Sequence, residues 1–559
     1  MLTFRSWRYG PAAVVACATL VLGACGGHPD PGPLSAMLSP EIPPSVQEIP
    51  NPLRGQYEYG LNPLFPQGNP AQQRYPAWPA SDDASLRVSW RQLQPADPHT
   101  LPPDAPDDAR YDFSAIDDAL TKLANRNMRL VLGVYTFKSC CSDSYPDNTN
   151  VAIPDWMRSS ATTYPGGPNS SPAGVAQVVP NWNDPNYLEA FGQLIGALGR
   201  RYDGDERLSV FEFSGYGDSG ENQVGYLHDA LGAPIPSAGN SVAALGYYSQ
   251  SPDQTITAAS VRRLVAAHVG AFAHTQLVVA PQNPEIVRQL FADDVTKKLS
   301  GPVGIRADRL GVQAPLPAWA EANDSHYVQT NDAAVAAIKQ RLAVAPVITE
   351  WGRAPAGTDS RSYYERGLHD VVHYHVSMTS STDFPDRDAT SAMDPALYPI
   401  WAQANSSSGY RYSVEAQPGS QSIHGKVASI SVVWTNYGSA ATTEQWAPSY
   451  KLVDFSGAVV RSLPSTTNLK ALVHDDSSAS REEAVPEPAT ESVHVDLTGL
   501  APGHYTLRAS VDWQQHKPNA SHVVNYPPMT LARDGRDNLG LYPIATLDIP
   551  RDASAGSVQ

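Results

Sequence analysis

The chain has 559 residues, 42% of them hydrophobic and 17% charged, which is ample core material and more length than one core serves, so two domains are expected. Its formal net charge of −17 repels phosphate backbones and argues against nucleic acid as a partner. Strongly polyanionic substrates are disfavoured less firmly, because a local arginine cluster can overcome the net field.

The first segment carries Arg5 and Arg8, then an apolar stretch over 11–22, then Leu22-Gly23-Ala24-Cys25. Positive, apolar, small is the order of a secretory signal, and a membrane span would need roughly 20 apolar residues. The ending resembles a bacterial lipobox, in which the cysteine is lipidated and becomes the mature N-terminus; an ordinary cleaved signal with a chance cysteine is the alternative. Residues 1–25 are therefore expected as a lipoprotein signal peptide. Residues 26–50, rich in Gly, Pro and Ser, are expected as a flexible linker. The mature protein is expected to be secreted and lipid-anchored to the cell envelope (outer membrane or cell surface), with the lipid on Cys25 as its only membrane contact. With Cys17 removed and Cys25 lipidated, only the neighbours Cys140 and Cys141 remain. They lack zinc-ligand spacing and cannot staple distant segments, so a vicinal disulfide and two reduced thiols both stay open.

From 51 to 405 short β-branched or aromatic runs alternate with helical patterns. Candidate strands fall at 55–59, 86–90, 129–135, 208–214, 276–280, 303–306 (with a continuation to 312), 346–351 and 371–378. Helical spacing marks 114–126, with Ser114 as N-cap, and also 187–202, 257–271 and 331–342. Eight strands alternating with helices make the α/β pattern of a (β/α)₈ TIM barrel; a doubly wound sheet is the competing architecture. Long loops at 60–84, 136–184 and 215–254 follow strands, which in a barrel is the active-site face. From 406 to 550 the chain reads as β only. Strands at 413–414, 426–435, 450–454, 492–497, 504–513 and 542–549 are separated by turn signals, the spacing of an immunoglobulin-like β-sandwich domain. Residues 551–559 read as a tail.

Two glutamates stand at strand ends. Glu350 closes the apolar run Ala345-Pro346-Val347-Ile348-Thr349-Glu350-Trp351, and Glu221 lies just past the fourth strand. Strands four and seven face each other across a barrel, so two carboxyls can flank one glycosidic bond. Roughly 5–5.5 Å between them gives retention, and roughly 6.5–9.5 Å admits a water and gives inversion. The acid must keep its proton, through burial or a neighbouring negative charge such as Asp218 or the other glutamate. Glu212 alternates with Phe211 and Phe213, so it points into the barrel, where Arg87 or Arg129 would pair with it. Arg54 and Arg87 are read as substrate ligands or as structural partners of carboxylates. Trp90, Trp156, Trp182, Tyr216 and Trp351 are candidates for stacking on sugar faces, with core packing as the alternative for each. His326, His373 and His375 are candidates for bonding substrate hydroxyls, the last two on one strand face. Metal-ligand spacing, a phosphate-cradling loop and a Gly-x-Ser-x-Gly elbow are missing, so neither metal nor cofactor is expected.

Glutamates after strands four and seven resemble the clan of retaining (β/α)₈ glycoside hydrolases. The resemblance implies Glu221 as acid/base, Glu350 as nucleophile and Arg87 as the arginine that keeps the nucleophile ionised. It departs at Gly220, where the clan has Asn. Asn51-Pro52-Leu53-Arg54-Gly55, Tyr111-Asp112-Phe113, Ile153-Pro154-Asp155-Trp156, Gly220-Glu221, Gly409-Tyr410-Arg411-Tyr412, Leu531-Ala532 and Gly540 more closely resemble a bacterial family of secreted barrel-plus-sandwich proteins of unassigned, glycosidase-like function. Together these imply a surface-tethered glycoside hydrolase acting on an extracellular or envelope polysaccharide, with carbohydrate as its partner. The alternatives are a non-catalytic carbohydrate-binding barrel and a structural envelope lipoprotein.

Overall fold

The structure is a computed structural model that describes residues 49–62, 82–139, 145–166, 172–224, 256–312, 315–317, 325–352, 354, 356–380, 394–473 and 488–549. The signal and Cys25, most of the linker, Cys140 and Cys141, the tail, and most of the 60–84 and 215–254 loops lie outside them. Among the described residues no helix is long and apolar enough to cross a membrane.

Eight parallel strands form one sheet: β1 (Gly55–Tyr57), β2 (Asp83–Ser89), β3 (Arg129–Tyr135), β4 (Leu208–Glu212), β5 (Gln276–Val279), β6 (Gly304–Leu310), β7 (Val347–Trp351) and β8 (Met378–Ser380). Each neighbours the next in sequence, and β1 pairs with β8. A bridge between Glu58 and Ala84 closes the ring, with Glu58 N donating to Asp83 O (3.0 Å) and Ser85 N to Glu58 O (2.8 Å). This is the (β/α)₈ barrel, and the sequential order excludes the doubly wound sheet, whose strand order reverses at a switch point.

Alternation sorts the side chains. Leu130, Leu132 and Val134 face the helical layer, whereas Val131 joins Leu53, Tyr57, Val210, Val278, Ile348 and Met378 in a small interior cluster. The longer helices are α1 (Ser114–Ala124), α2 (Pro185–Tyr202), α3 (Ala258–Ala271), α4 (Pro284–Leu290), α5 (Ser325–Val344), α6 (Ser360–His373) and α7 (Tyr398–Ser407), and the side chains of Asp184, Thr257, Asn283 and Asp359 cap α2, α3, α4 and α6. Asp184 accepts from Asn186 N (2.8 Å) to start α2, which buries Tyr187, Phe191, Leu194 and Leu198. Ser114 is the first helical residue of α1 rather than its cap, and its amide donates to Asp112 Oδ1 (3.0 Å).

One strand expectation fails. The run 371–378 is not a strand: 371–373 end α6, His375 turns at φ +51°, and β8 begins at Met378. Leu368 and Val371 lie on the buried face begun by Tyr363 and Gly367, and that period of helical contacts overrides the local β-branched character. His373 and His375 therefore share no strand face; His375 bonds Ser439 O through Nδ1 (2.8 Å).

Two antiparallel sheets follow. The strands are β9 (Tyr412–Ala416), β10 (Ser422–His424), β11 (Val427–Asn436), β12 (Trp446–Val453), β13 (Val459–Pro464), β14 (Ala489–Asp496), β15 (Gly503–Trp513) and β16 (Tyr542–Ile549). In one sheet β11 pairs with β9, β10 and β14; in the other the order is β13-β12-β15-β16. Their inner faces share one core that includes Tyr412, Val432, Trp434, Tyr450, Leu507 and Val511. The short strands β10 and β13 carry no apolar alternation that marks them in sequence.

This β unit packs under the N-terminal end of the barrel. Arg129, at the start of β3, is 4% exposed and bonds both carboxylate oxygens of Glu444 (2.7 and 3.0 Å), lying 5.4 Å from the rings of Trp513 and Tyr526. Asn51 and Thr530 exchange two hydrogen bonds (2.9 Å each), and Tyr410 donates to Pro52 O (2.8 Å). Breaking a buried ion pair from one side strands a charge. Arg129→Ala is expected to lower unfolding free energy by about 3–5 kcal/mol in denaturant titration, whereas the double change Arg129→Met with Glu444→Met recovers most of that loss.

Candidate active site

The C-terminal end of the barrel interior is polar. Arg87, Glu212 and Arg306 come from even-numbered strands, which contribute to the same interior layer, and Glu350 joins them from β7. Gly133 stands beside Arg87 on β3; a Cβ there would meet Glu212 Oε2 at 2.7 Å and Arg87 Cγ at 3.0 Å. The absent side chain is what lets that ion pair lie across the barrel. Between β6 and β7 the register slips by one residue, with Thr349 opposite Ala307 but Trp351 opposite Leu310. Arg309 absorbs the extra residue at φ +63°. Asp308, just before the bulge and two residues from Arg306, reaches the same centre by alternation, and the bulge returns Leu310 to the outer core.

Arg306 is the hub, 4% exposed. Its Nη2 lies 2.6 Å from Glu350 Oε1, its Nε 3.2 Å from Glu212 Oε1, and its Nη1 bonds Asp308 and lies 3.8 Å from Glu221 Oε1. Arg87 adds Nε to Glu212 Oε2 (3.0 Å) and Nη1 to Glu221 Oε1 (3.3 Å). Glu221, Asp308 and Glu350 each offer one carboxylate oxygen such that all three lie within 4.8 Å of one another. A donor set of that kind can hold a divalent cation, but here two guanidinium groups already face the same oxygens.

Glu221 arrives on a loop whose every turn is bonded. Tyr187 OH donates to Gly215 O (2.8 Å), Ser219 N to Phe137 O (2.8 Å), and Glu221 N to Asp218 O (2.8 Å). Asp218 is buried and accepts from Ser139 N (2.9 Å), so it braces the loop rather than facing Glu350. Gly220 sits at φ +76°, and a Cβ there would meet Val134 O at 3.2 Å. An Asn in that position would be strained, which accounts for the departure from the clan pattern. The nearby amide is Gln223, whose Nε2 donates to Glu221 Oε2 (3.3 Å).

Burial raises the Glu350 carboxyl to about 7, with the Asp308 charge adding to it and Arg306 opposing. Burial, then the Asp308 charge, holds Glu221 well above the usual carboxylate range. For Asp308 burial works the same way but is outweighed by Arg306 and by hydrogen bonds from Glu350 and Glu221, so its carboxyl lies below the usual range. The Glu350 charge, then burial, pushes the nearby Tyr59 hydroxyl up to about 12.

Of the residues singled out from sequence, Glu221, Glu350 and Arg87 converge. Arg87 bonds Glu221 and Glu212, and the arginine on Glu350 is Arg306 instead, so the role implied for Arg87 passes to a neighbour. The others are corrected. Arg54 lies before β1, at the opposite end of the barrel, and donates to Ile49 O (2.6 Å) and Ser406 O (2.7 Å). Trp90 is buried between Tyr187 and Phe191, with Trp156 edge-on against it at 6.0 Å. Trp182 and Tyr216 are buried against each other at 4.9 Å. Trp351 alternates away from Glu350 and packs on Tyr363, Tyr364 and the bare face of Gly367. Large aromatics beside barrel strands went to the helix–sheet layer because that layer holds most of the buried apolar surface. His326 lies on α5, with its side chain outside the described residues. Arg306 and Asp308 were missed; their signal was two charges at a spacing of two, alternating with Ile305 and Ala307, the same alternation that marked Glu212.

No family model matches the chain, and no curated protein matches it in sequence. Among solved structures it is similar to the catalytic domain of β-amylase from Paenibacillus polymyxa (12% identity, TM-score 0.35, 58% of this chain and 90% of that one). It is also similar to a tri-modular GH5 endo-β-1,4-glucanase from Bacillus licheniformis (12%, 0.31, 88% and 77%) and to the endo-β-1,4-mannanase from Thermotoga petrophila (8%, 0.32, 84% and 96%). These neighbours are (β/α)₈ glycoside hydrolases. The functional reading rests on the site's own geometry.

A carboxylate held above its unfolded value favours folding only while protonated. For Glu221 that contribution is full below the unfolded value of about 4.3 and is lost as pH rises toward the folded one. Glu221→Gln is therefore expected to raise stability at pH 8 by about 1 kcal/mol, with the gain shrinking toward pH 4, as read by denaturant titration at the two pH values.

Proposed function

We propose that this protein is a retaining glycoside hydrolase, with Glu350 as nucleophile and Glu221 as acid/base. The observation that carries the reading is the convergence of these two carboxyls, from opposite parts of the chain, to within 4.8 Å at the mouth of a barrel. Carboxylate oxygens that close support the shorter carboxyl separation of direct attack, roughly 5–5.5 Å, over the wider one of an inverting site. Glu350 carboxylate attacks the anomeric carbon, the glycosidic C–O bond breaks, and the leaving oxygen takes the proton of Glu221. Glu221 then removes a proton from water, whose oxygen attacks the same carbon and frees Glu350. Arg306 offsets the charge of the Glu350 carboxylate, and Gln223 orients Glu221.

The lipobox-like Cys25 supports a setting outside the membrane, on a lipid tether, and hence an extracellular or envelope polysaccharide as substrate. The antiparallel unit, read as an immunoglobulin-like sandwich, supports the barrel from beneath. A glycan-binding barrel without turnover is the second reading, favoured by Gly220 in place of the clan's amide side chain.

Screening polysaccharides and aryl glycosides is expected to find a cleaved substrate whose products keep their anomeric configuration by proton NMR. Glu350→Gln and Glu221→Gln are each expected to lower kcat by at least about 10²-fold. Cleavage that survives both changes would remove the assignment, and tight binding with no turnover would favour the second reading. Because Glu350 must be ionised to attack, kcat/KM is expected to fall as pH drops through about 7. Because Glu221 must be protonated, it falls again on the alkaline side.

A further inference from the structure

We propose that Asp308 is a positioning residue of this centre, a third carboxylate that governs the protonation of Glu221 and Glu350. In catalytic terms the proposal rests on the hydrolase reading above. Its physical content does not.

Three observations carry it. Asp308 stands two residues from Arg306 on β6, so alternation turns it to the same interior face, and a carboxylate oxygen of it lies within 4.8 Å of one from each glutamate. Asp308 bonds the same Arg306 nitrogen, Nη1, that lies 3.8 Å from Glu221, while Glu350 takes Nη2. The third is charge balance: among the described residues, Glu212, Glu221, Asp308 and Glu350 are in ion-pair contact with Arg87 and Arg306, two more carboxylates than guanidiniums. In a site this buried, excess negative charge is relieved by binding protons. Tyr57 and Tyr59, from β1 and just beyond it, face the cluster and stay neutral, because burial and the Glu350 charge raise both hydroxyls. Asp308 is the carboxyl held down, and its charge raises both glutamates. The protons thus reside on Glu221 and Glu350. One of these glutamates must give a proton and the other must lose one, so Asp308 sets the pH at which both conditions hold.

The test uses full-length protein labelled with ¹³C at glutamate Cδ, with Glu221→Gln and Glu350→Gln to assign the two signals. In Asp308→Asn both carboxyl titrations are expected to move to lower pH by about one unit. On a cleaved substrate the whole kcat/KM profile moves with them, so that on the acid limb the variant gains about tenfold relative to its own optimum. A residue that merely supports the fold would lower activity at every pH and shift neither titration. Unmoved titrations in folded Asp308→Asn would overturn the proposal even where Glu350→Gln abolishes hydrolysis. Shifted titrations in a protein that cleaves no glycan would uphold it and remove the hydrolase reading instead. If Asp308→Asn does not fold, Asp308→Ser is the second variant. Glutamate titrations in the ordinary carboxylate range in the wild type would overturn the proposal without any variant.

Discussion

Everything at the mouth of the barrel depends on one buried guanidinium. Arg306 touches Glu212, Asp308 and Glu350 and lies within ion-pair reach of Glu221, each delivered by a different segment of the chain. A charge removed from water must be matched locally, and only the convergence of strand ends in a closed ring brings that many carboxylates to one point. Gly133 leaves room for the Arg87–Glu212 pair, and Asp308 follows Arg306 on the interior face of β6. Among the described residues the result is over-supplied with negative charge, so protons complete it. Exchangeable protons on paired carboxyls are what acid/base chemistry requires, and they come at a cost in stability at neutral pH.

The other end of the barrel is built for cohesion. Three of the scattered motifs that resemble a secreted barrel-plus-sandwich family meet there. Asn51 binds Thr530, Pro52 accepts from Tyr410, Gly55 N donates to Ser408 O, and Ala532 N donates to Tyr412 O. Arg54, in the same group, ties Ile49 to Ser406. These three motifs therefore mark the seam between barrel and β unit, Tyr111, Phe113 and Ile153 pack in the barrel's own outer core, and Gly220-Glu221 is the pair that reaches the chemistry. The division follows the usual polarity of the fold, with conserving contacts at the N-terminal face and reacting groups at the other.

The strands were legible because alternation and turn residues act locally. Arg129–Tyr135 and Tyr542–Ile549 have the bounds that their patterns imply, and Glu212 pairs with Arg87 as period two requires. The aromatics were illegible for the complementary reason. Trp90, Trp182, Tyr216 and Trp351 sit beside strand ends in sequence, but which side of the wall each occupies depends on partners from α2, α6 and distant loops. Val371 shows the same limit from the other direction, a β-branched residue taken into α6 by its helical contacts.

Sequence alone was enough to expect a barrel with a β unit behind it and to single out two strand-end glutamates, because a repeating pattern of strand and helix admits few closed arrangements and a charge ending an apolar strand has few places to go. Tertiary structure alone decided which charges share the centre. Asp308 meets Glu350 across the β6–β7 pair, and Arg306 rather than Arg87 holds Glu350. Both outcomes depend on how neighbouring strands are staggered, a quantity that exists only between segments and is written in neither one of them.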